Sequence, residues 1–141
     1  MRLWDYRLIP VLPNKMLVSQ WRECIAIKRQ WEKGTLKHRL VSYVTEYSKK
    51  YFRNYIILVI QEMKKRNIKY QDKYYKEILE FTEKIPLDFA YNIYYPEHND
   101  RYLKQCYYNL EEKADRGIIS EEEWQKIEDY IKKEENLRCL K

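Results

Sequence analysis

Two glycines and four prolines among 141 residues leave little material for tight turns. A many-turned β protein needs those residues at its corners, so the shortage argues for helices. Cysteine is scarce as well. Cys24, Cys106 and Cys139 are odd in number and widely spaced, which implies no disulfide framework. No charged-then-apolar leader opens the chain, and its longest aliphatic run, Ile56-Ile57-Leu58-Val59-Ile60, falls far short of a membrane span. Neither a glycine-rich phosphate loop nor an acidic cluster for a two-metal nuclease is present. Cys24, His38, His98 and Cys106 lack the short spacings of a zinc site, and no metal or cofactor is expected. These absences point to a reduced, soluble, cytoplasmic protein with no membrane partner.

What is abundant is charge and aromatic surface. Hydrophobic residues make up 45% and charged residues 35%, a globular balance, and the length suits one domain over 1–141. The 15 Tyr and 4 Trp exceed what a core of this size needs. Such rings also serve wet interfaces and nucleobases. The net charge of +6 hides an asymmetry: residues 1–76 hold 18 Lys+Arg against 6 Asp+Glu, a net of +12, and residues 77–141 hold 10 against 16, a net of −6. A basic half of that size fits a polyanion, because each neutralised phosphate releases counterion. It also fits an ordinary solvated surface.

Periodicity predicts an all-α bundle of about five helices behind an extended segment, residues 1–13, held open by Pro10 and Pro13. A helix over 15–29 follows, with Asn14 as N-cap, and then a loop from Trp31 to Lys37. A second helical region spans 38–66 with a break near Ser48; Asn67 is suited to a left-handed cap. Shorter helices are expected over 72–83 and 98–115, the latter stopped by Gly117. Ser120 and Glu123 form a capping box that opens a last helix to about 133.

On a wheel, residues 16–30 are apolar around most of the circumference. Leu17, Trp21, Cys24, Ile25 and Lys28 share one side. Only a thin stripe of Ser19, Arg22, Glu23, Ala26, Arg29 and Gln30 remains, narrower than a surface helix usually shows. Arg22 and Glu23 point about 100° apart and are a poor ion pair, which leaves Glu23 as a lone carboxylate. Either the stripe is a solvated edge paired with neighbours, or it lines a cleft.

At Trp21-Arg22-Glu23 the chain resembles the pyrimidine-dimer DNA glycosylase/abasic-site lyase family, in which an aromatic-Arg-Glu motif stands at the same distance from the N-terminus. Tyr51-Phe52-Arg53 through Arg66-Asn67 is similar to the family's long helix, and Pro96-Glu97-His98 through Asn109-Leu110 to a later one. The opening Met1-Arg2-Leu3-Trp4, with Leu8-Ile9-Pro10 and Leu12-Pro13, resembles a bacterial-type branch. The resemblance implies damaged double-stranded DNA as partner and a metal-free, monomeric enzyme, nucleoid-associated in a bacterium. It implies that an N-terminal amine attacks the sugar C1′ to form an imine. Glu23 would then assist base loss and proton removal, and Arg22 would grip the backbone. An α-amine suits that task, its reference pKa being about 7.7–8.0 against about 10.4 for lysine.

Two positions depart from the family pattern. Where the family exposes a small residue after loss of the initiator Met, this chain has Arg2, whose bulk favours retention of Met1. The amine is then displaced by one residue, about 3.8 Å between Cα atoms. Ala26 stands where the family carries a second arginine.

With that resemblance, Lys15, Lys28, Arg29, Trp31, Lys33, Lys37, His38 and Arg39 become the expected DNA contacts beside Arg22, and Lys49, Lys50 and Arg53 would extend the track. Lys64-Lys65-Arg66 reads instead as complement to a helix end. His98 reads as a capping or core histidine, and Tyr91, Tyr94 and Tyr95 as core or as a shelf for a displaced base. Three functions stay open: a glycosylase/lyase centred on Met1, Arg2 and Glu23, a lesion binder that does not cut, and a helical protein-interaction module.

Overall fold

The structure is a computed structural model that describes residues 1–82 and 93–133. Within them it is all helical. Five α-helices follow in order: α1 Asn14–Lys33, α2 Lys49–Lys65, α3 Asp72–Phe81, α4 Asp100–Asp115 and α5 Glu121–Lys133. Two 3-10 turns, Tyr6–Val11 and Ser42–Glu46, precede α1 and α2. Tyr91 and Cys139 lie outside the described residues.

The helix ends follow from local chemistry. Gly34 takes a left-handed φ of 68° and closes α1, with Thr35 N–H on Gln30 C=O at 2.9 Å. This end lies one turn beyond the expected one, so Trp31 belongs to the helix and not to the loop. Asn67, at φ 59°, ends α2 as expected, and Ile68 N–H closes the cap on Met63 C=O at 2.8 Å. Ser120 and Glu123 make both bonds of the capping box, at 2.9 and 3.1 Å.

The first thirteen residues differ from the extended segment expected. Asp5 caps a 3-10 turn by accepting from Arg7 N–H at 3.0 Å, and Pro10, whose fixed φ is compatible with the turn, sits inside it. Turning the chain there sends its apolar residues two ways. Leu3 and Ile9 enter a core built from α1, α2 and α3, whereas Trp4, Leu8 and Leu12 enter a second core with Leu103, Leu110, Ile127 and others from α4 and α5. The segment is the seam between the two.

Helix α2 is buried from Phe52 to Tyr55, the polar Arg53 and Asn54 included, and on through Ile56, Ile57, Val59 and Ile60. Arg66, just past its end, reaches back to the seam. Its guanidinium donates to the carbonyls of Leu12 at 2.6 Å and Pro10 at 3.0 Å while Glu62 holds it at 2.8 Å. Helix-end complementarity therefore describes Lys64 and Lys65 but not Arg66, which ties two elements together.

His98 is a core histidine. Its Nδ1 accepts from Tyr6 N–H at 3.3 Å, which leaves the ring proton on Nε2 facing Tyr43 Oη at 2.6 Å. Burial, and then the nearby Arg7 cation, hold its pKa down to about 3. The unfolded chain therefore takes up a proton that the folded one refuses, and the stability present above pH 6.5 is lost as pH falls toward 3. The expected slope from this one group is about 1.4 kcal/mol per pH unit. In urea denaturation at pH 7.5 and pH 5.0, His98→Asn should be less stable at both but lose less between them; an equal loss would remove His98 from the acid response.

Candidate functional site

The N-terminal residues are fastened to α1 and α4 through their backbone. Gln20, 1% exposed, donates to Arg2 C=O at 2.9 Å and accepts from Trp4 N–H at 2.8 Å. Tyr55 Oη donates to Trp4 C=O at 2.7 Å and lies 3.0 Å from the same Gln20 oxygen. Tyr102 Oη donates to Leu3 C=O. Three side chains from three helices thus fix residues 2–4. Gln20 lies one helical turn before Glu23, so the tether and the carboxylate share a face of α1.

A cleft of about 390 Å³ opens beside this tether. Met1, Arg2 and Trp4 form one wall; Met16, Ser19, Gln20 and Glu23, spaced along one face of α1, form another. Leu40 from the loop after α1, with Asn109 and Lys113 of α4, completes it. Glu23 Oε2 is buried with no hydrogen-bond partner. Such an oxygen costs stability, and Asn54 Oδ1 and Glu97 Oε1 share the condition. The Arg2 guanidinium is 5.6 Å from the Trp4 ring and also acts on the Tyr102 hydroxyl, so it turns along the cleft wall.

Across α1, Arg22 and Lys15 line an adjoining cleft of about 470 Å³ together with Ile68. Ser19 lines both clefts, and the polar stripe of α1 is the ridge between them. A larger cleft of about 630 Å³, between Pro10, Arg66 and α5, holds none of the expected site residues.

Several expected DNA contacts turn inward. Lys28 is buried and its ammonium is shared by Glu32 at 2.5 Å and Glu77 at 3.2 Å. Arg29 is bidentate on the same Glu77, at 2.9 and 3.0 Å. The Arg29 hydrogen bond, with help from Lys28 and against burial, holds the Glu77 carboxyl below its usual range. Trp31 packs among core rings, 5.8 Å from Phe52 and 5.2 Å from Phe81. Arg53 is buried and donates to Thr82 C=O at 3.1 Å. Lys49 sits over the Phe81 ring at 4.2 Å. By contrast Lys33, Lys37, His38, Arg39 and Lys50 are exposed.

Gln20, Tyr55, Tyr102, Leu40, Asn109 and Lys113 are the residues that sequence reasoning missed. Gln20 carries a usable signal: it stands among Leu17, Trp21 and Cys24 on the apolar face, where a polar group must find partners. Asn109 and Lys113 carry none, since only the fold brings α4 to α1. Tyr94 stacks on Tyr6 at 4.0 Å and Tyr95 is buried, both away from the Glu23 cleft. Among the described residues no group of His, Cys, Asp or Glu is placed to hold a metal, and no helix is long and apolar enough to cross a membrane.

Compared with known proteins, residues 1–76 match the family model described as pyrimidine dimer DNA glycosylase. Neither curated proteins nor solved structures give a match.

The tether makes a measurable claim about the terminus. Tyr55→Phe leaves a buried carbonyl and the Gln20 amide short of a partner, and should cost about 1–3 kcal/mol in urea denaturation. It should also speed trimming of Met1 and Arg2 by an aminopeptidase under native conditions. Unchanged trimming would mean that residues 2–4 are held by packing alone.

Proposed function

The chain belongs to the pyrimidine dimer DNA glycosylase family, and we propose that it removes damaged pyrimidines from duplex DNA and then cuts the abasic strand. The observation that carries this reading is the Glu23 carboxylate, unpartnered at Oε2, in one cleft with Met1. In the proposed reaction the Met1 α-amine attacks C1′ as the bond from C1′ to the damaged base breaks. The base departs with the electron pair and a proton; the C1′–O4′ bond of the resulting glycosylamine then breaks, O4′ takes a proton, and an imine remains at C1′. Glu23 then takes a proton from C2′, and the C3′–O bond breaks by β-elimination. No metal is needed at any step.

The tether constrains this assignment. Arg2 keeps the amine one residue farther out than a family member that loses its initiator, and Gln20, Tyr55 and Tyr102 prevent residues 2–4 from sliding to compensate. Met1 nevertheless lines the cleft with Glu23. The same Arg2 favours a second reading, a lesion binder with a weak cutting step, if the extra residue misplaces the amine.

Binding would use exposed side chains around and beyond α1. Arg22 and Lys15 flank the adjoining cleft, and Lys33, Lys37, His38 and Arg39 stand on the exposed stretch after α1. Lys28 and Arg29, neutralised by Glu77, drop out. Lys37→Ala should therefore lower the slope of log K against log salt by about 0.9, and Lys28→Met should leave it unchanged. Equal slopes for both variants would displace the proposed track.

Borohydride trapping on abasic and ultraviolet-irradiated duplexes tests the chemistry. A covalent adduct mapped by mass spectrometry to the α-amine is expected, with loss of trapping when the terminus is blocked and a fall of about a hundredfold or more for Glu23→Gln. No adduct with lesion-selective binding retained would leave the non-cutting binder. Loss of lesion selectivity would end the repair reading.

A further inference from the structure

Residues at a chain end usually leave their side chains in solvent. Met1 does not: it is only partly exposed, and its side chain packs against the core built from α1, α2 and α3. The same residue lines the cleft beside Glu23. Met1 therefore meets the core on one side and the cleft on another.

The backbone that follows is held by bonds that end at Arg2. Gln20 donates to Arg2 C=O at 2.9 Å and accepts from Trp4 N–H at 2.8 Å, and Tyr102 donates to Leu3 C=O. Peptide planes are stiff, so only φ and ψ of Arg2 and ψ of Met1 separate the last of these bonds from the α-nitrogen. Left free, those torsions would carry the nitrogen through a volume much larger than the reacting separation of about 3–3.5 Å allows. A side chain seated in the core removes that freedom, because it fixes the Met1 Cα from the side as well as along the chain. Methionine suits the position, being unbranched and able to fill an irregular gap. Arg2, whose bulk favours retention of Met1, thus keeps the seat filled as well as the amine in place.

We propose that the Met1 side chain is a positioning group of this site: seated against the core of α1, α2 and α3, it fixes the Met1 Cα and so holds the α-amine toward the cleft that Glu23 lines. The inference rests on the glycosylase/lyase reading for its catalytic consequence, but the seating itself is measured without turnover.

The experiment uses the full chain released from a cleavable fusion, so that the first residue is chosen: wild type, Met1→Gly and Met1→Leu. Binding to a duplex with a non-cleavable abasic analogue is measured first, and then single-turnover borohydride trapping on an abasic duplex at saturating protein. Met1→Gly keeps an α-amine at the same place in the sequence. It should bind within about twofold of wild type and trap about tenfold or more slowly, a loss in rate constant and not in affinity. Met1→Leu refills the seat and should recover most of the rate. Equal trapping by wild type and Met1→Gly, or a Met1→Leu rate as low as that of Met1→Gly, would overturn the proposal. A second arm labels the methionine methyls with carbon-13. The chain has three, Met1, Met16 and Met63, and the signal missing from Met1→Leu is that of Met1. Its methyl order parameter should lie closer to that of the buried Met63 than to that of the denatured chain. A Met1 methyl as mobile as in the denatured chain would overturn the seat. If wild type traps nothing the lyase reading fails by itself, and the methyl arm still decides the seat.

Discussion

The Gln20 carboxamide bridges the backbone on both sides of Leu3, and the arrangement of the site depends on that bridge. Its nitrogen holds Arg2 C=O and its oxygen holds Trp4 N–H. Residues this near a chain end are ordinarily loose, because little burial offsets the entropy of ordering them. Here Leu3 is fully buried, Trp4 nearly so, and each neighbouring backbone group finds a side-chain partner. The Met1 end of the cleft beside Glu23 is thus held in place by this segment.

Charge in this protein divides by partner and not by position in the chain. The basic half looks uniform as a sequence, yet Glu77 pairs with both Lys28 and Arg29, Glu32 holds Lys28 as well, and Arg66 spends its donors on the carbonyls of Leu12 and Pro10. Of those that remain, Arg2 lines the cleft beside Glu23, and Lys15 and Arg22 line the adjoining one. A net of +12 over residues 1–76 is thus a poor count of phosphate contacts. Glu77 falls just outside the family-matched span, as do Tyr102, Asn109 and Lys113. The site of the matched region is completed by residues beyond it.

Local order was legible in the sequence at several helix ends, though α1 starts at Asn14 behind Pro13 and not after an Asn14 cap. The thin polar stripe of α1, the left-handed Asn67 and the Ser120–Glu123 box all follow from a few adjacent residues, and all are present. The 3-10 turn over Tyr6–Val11 was missed because two prolines argue for extended chain, whereas Asp5 and the burial of Leu8 and Ile9 decide otherwise. Trp31 and Arg53 were misplaced for a different reason. Their burial depends on α3 and on Thr82, contacts across about thirty or more residues that no periodicity encodes. The pairing of Met1 with Glu23 is legible only through the resemblance.

The seam between the two cores also sets an order of assembly. The bonds from Tyr102 to Leu3 and from His98 to Tyr6 span 99 and 92 residues. Such contacts close late, because the intervening loop must first be ordered. During synthesis residues 3–6 must wait for α4 before these contacts can form. The cleft beside Glu23 is therefore complete only after α4 has docked against the N-terminal residues.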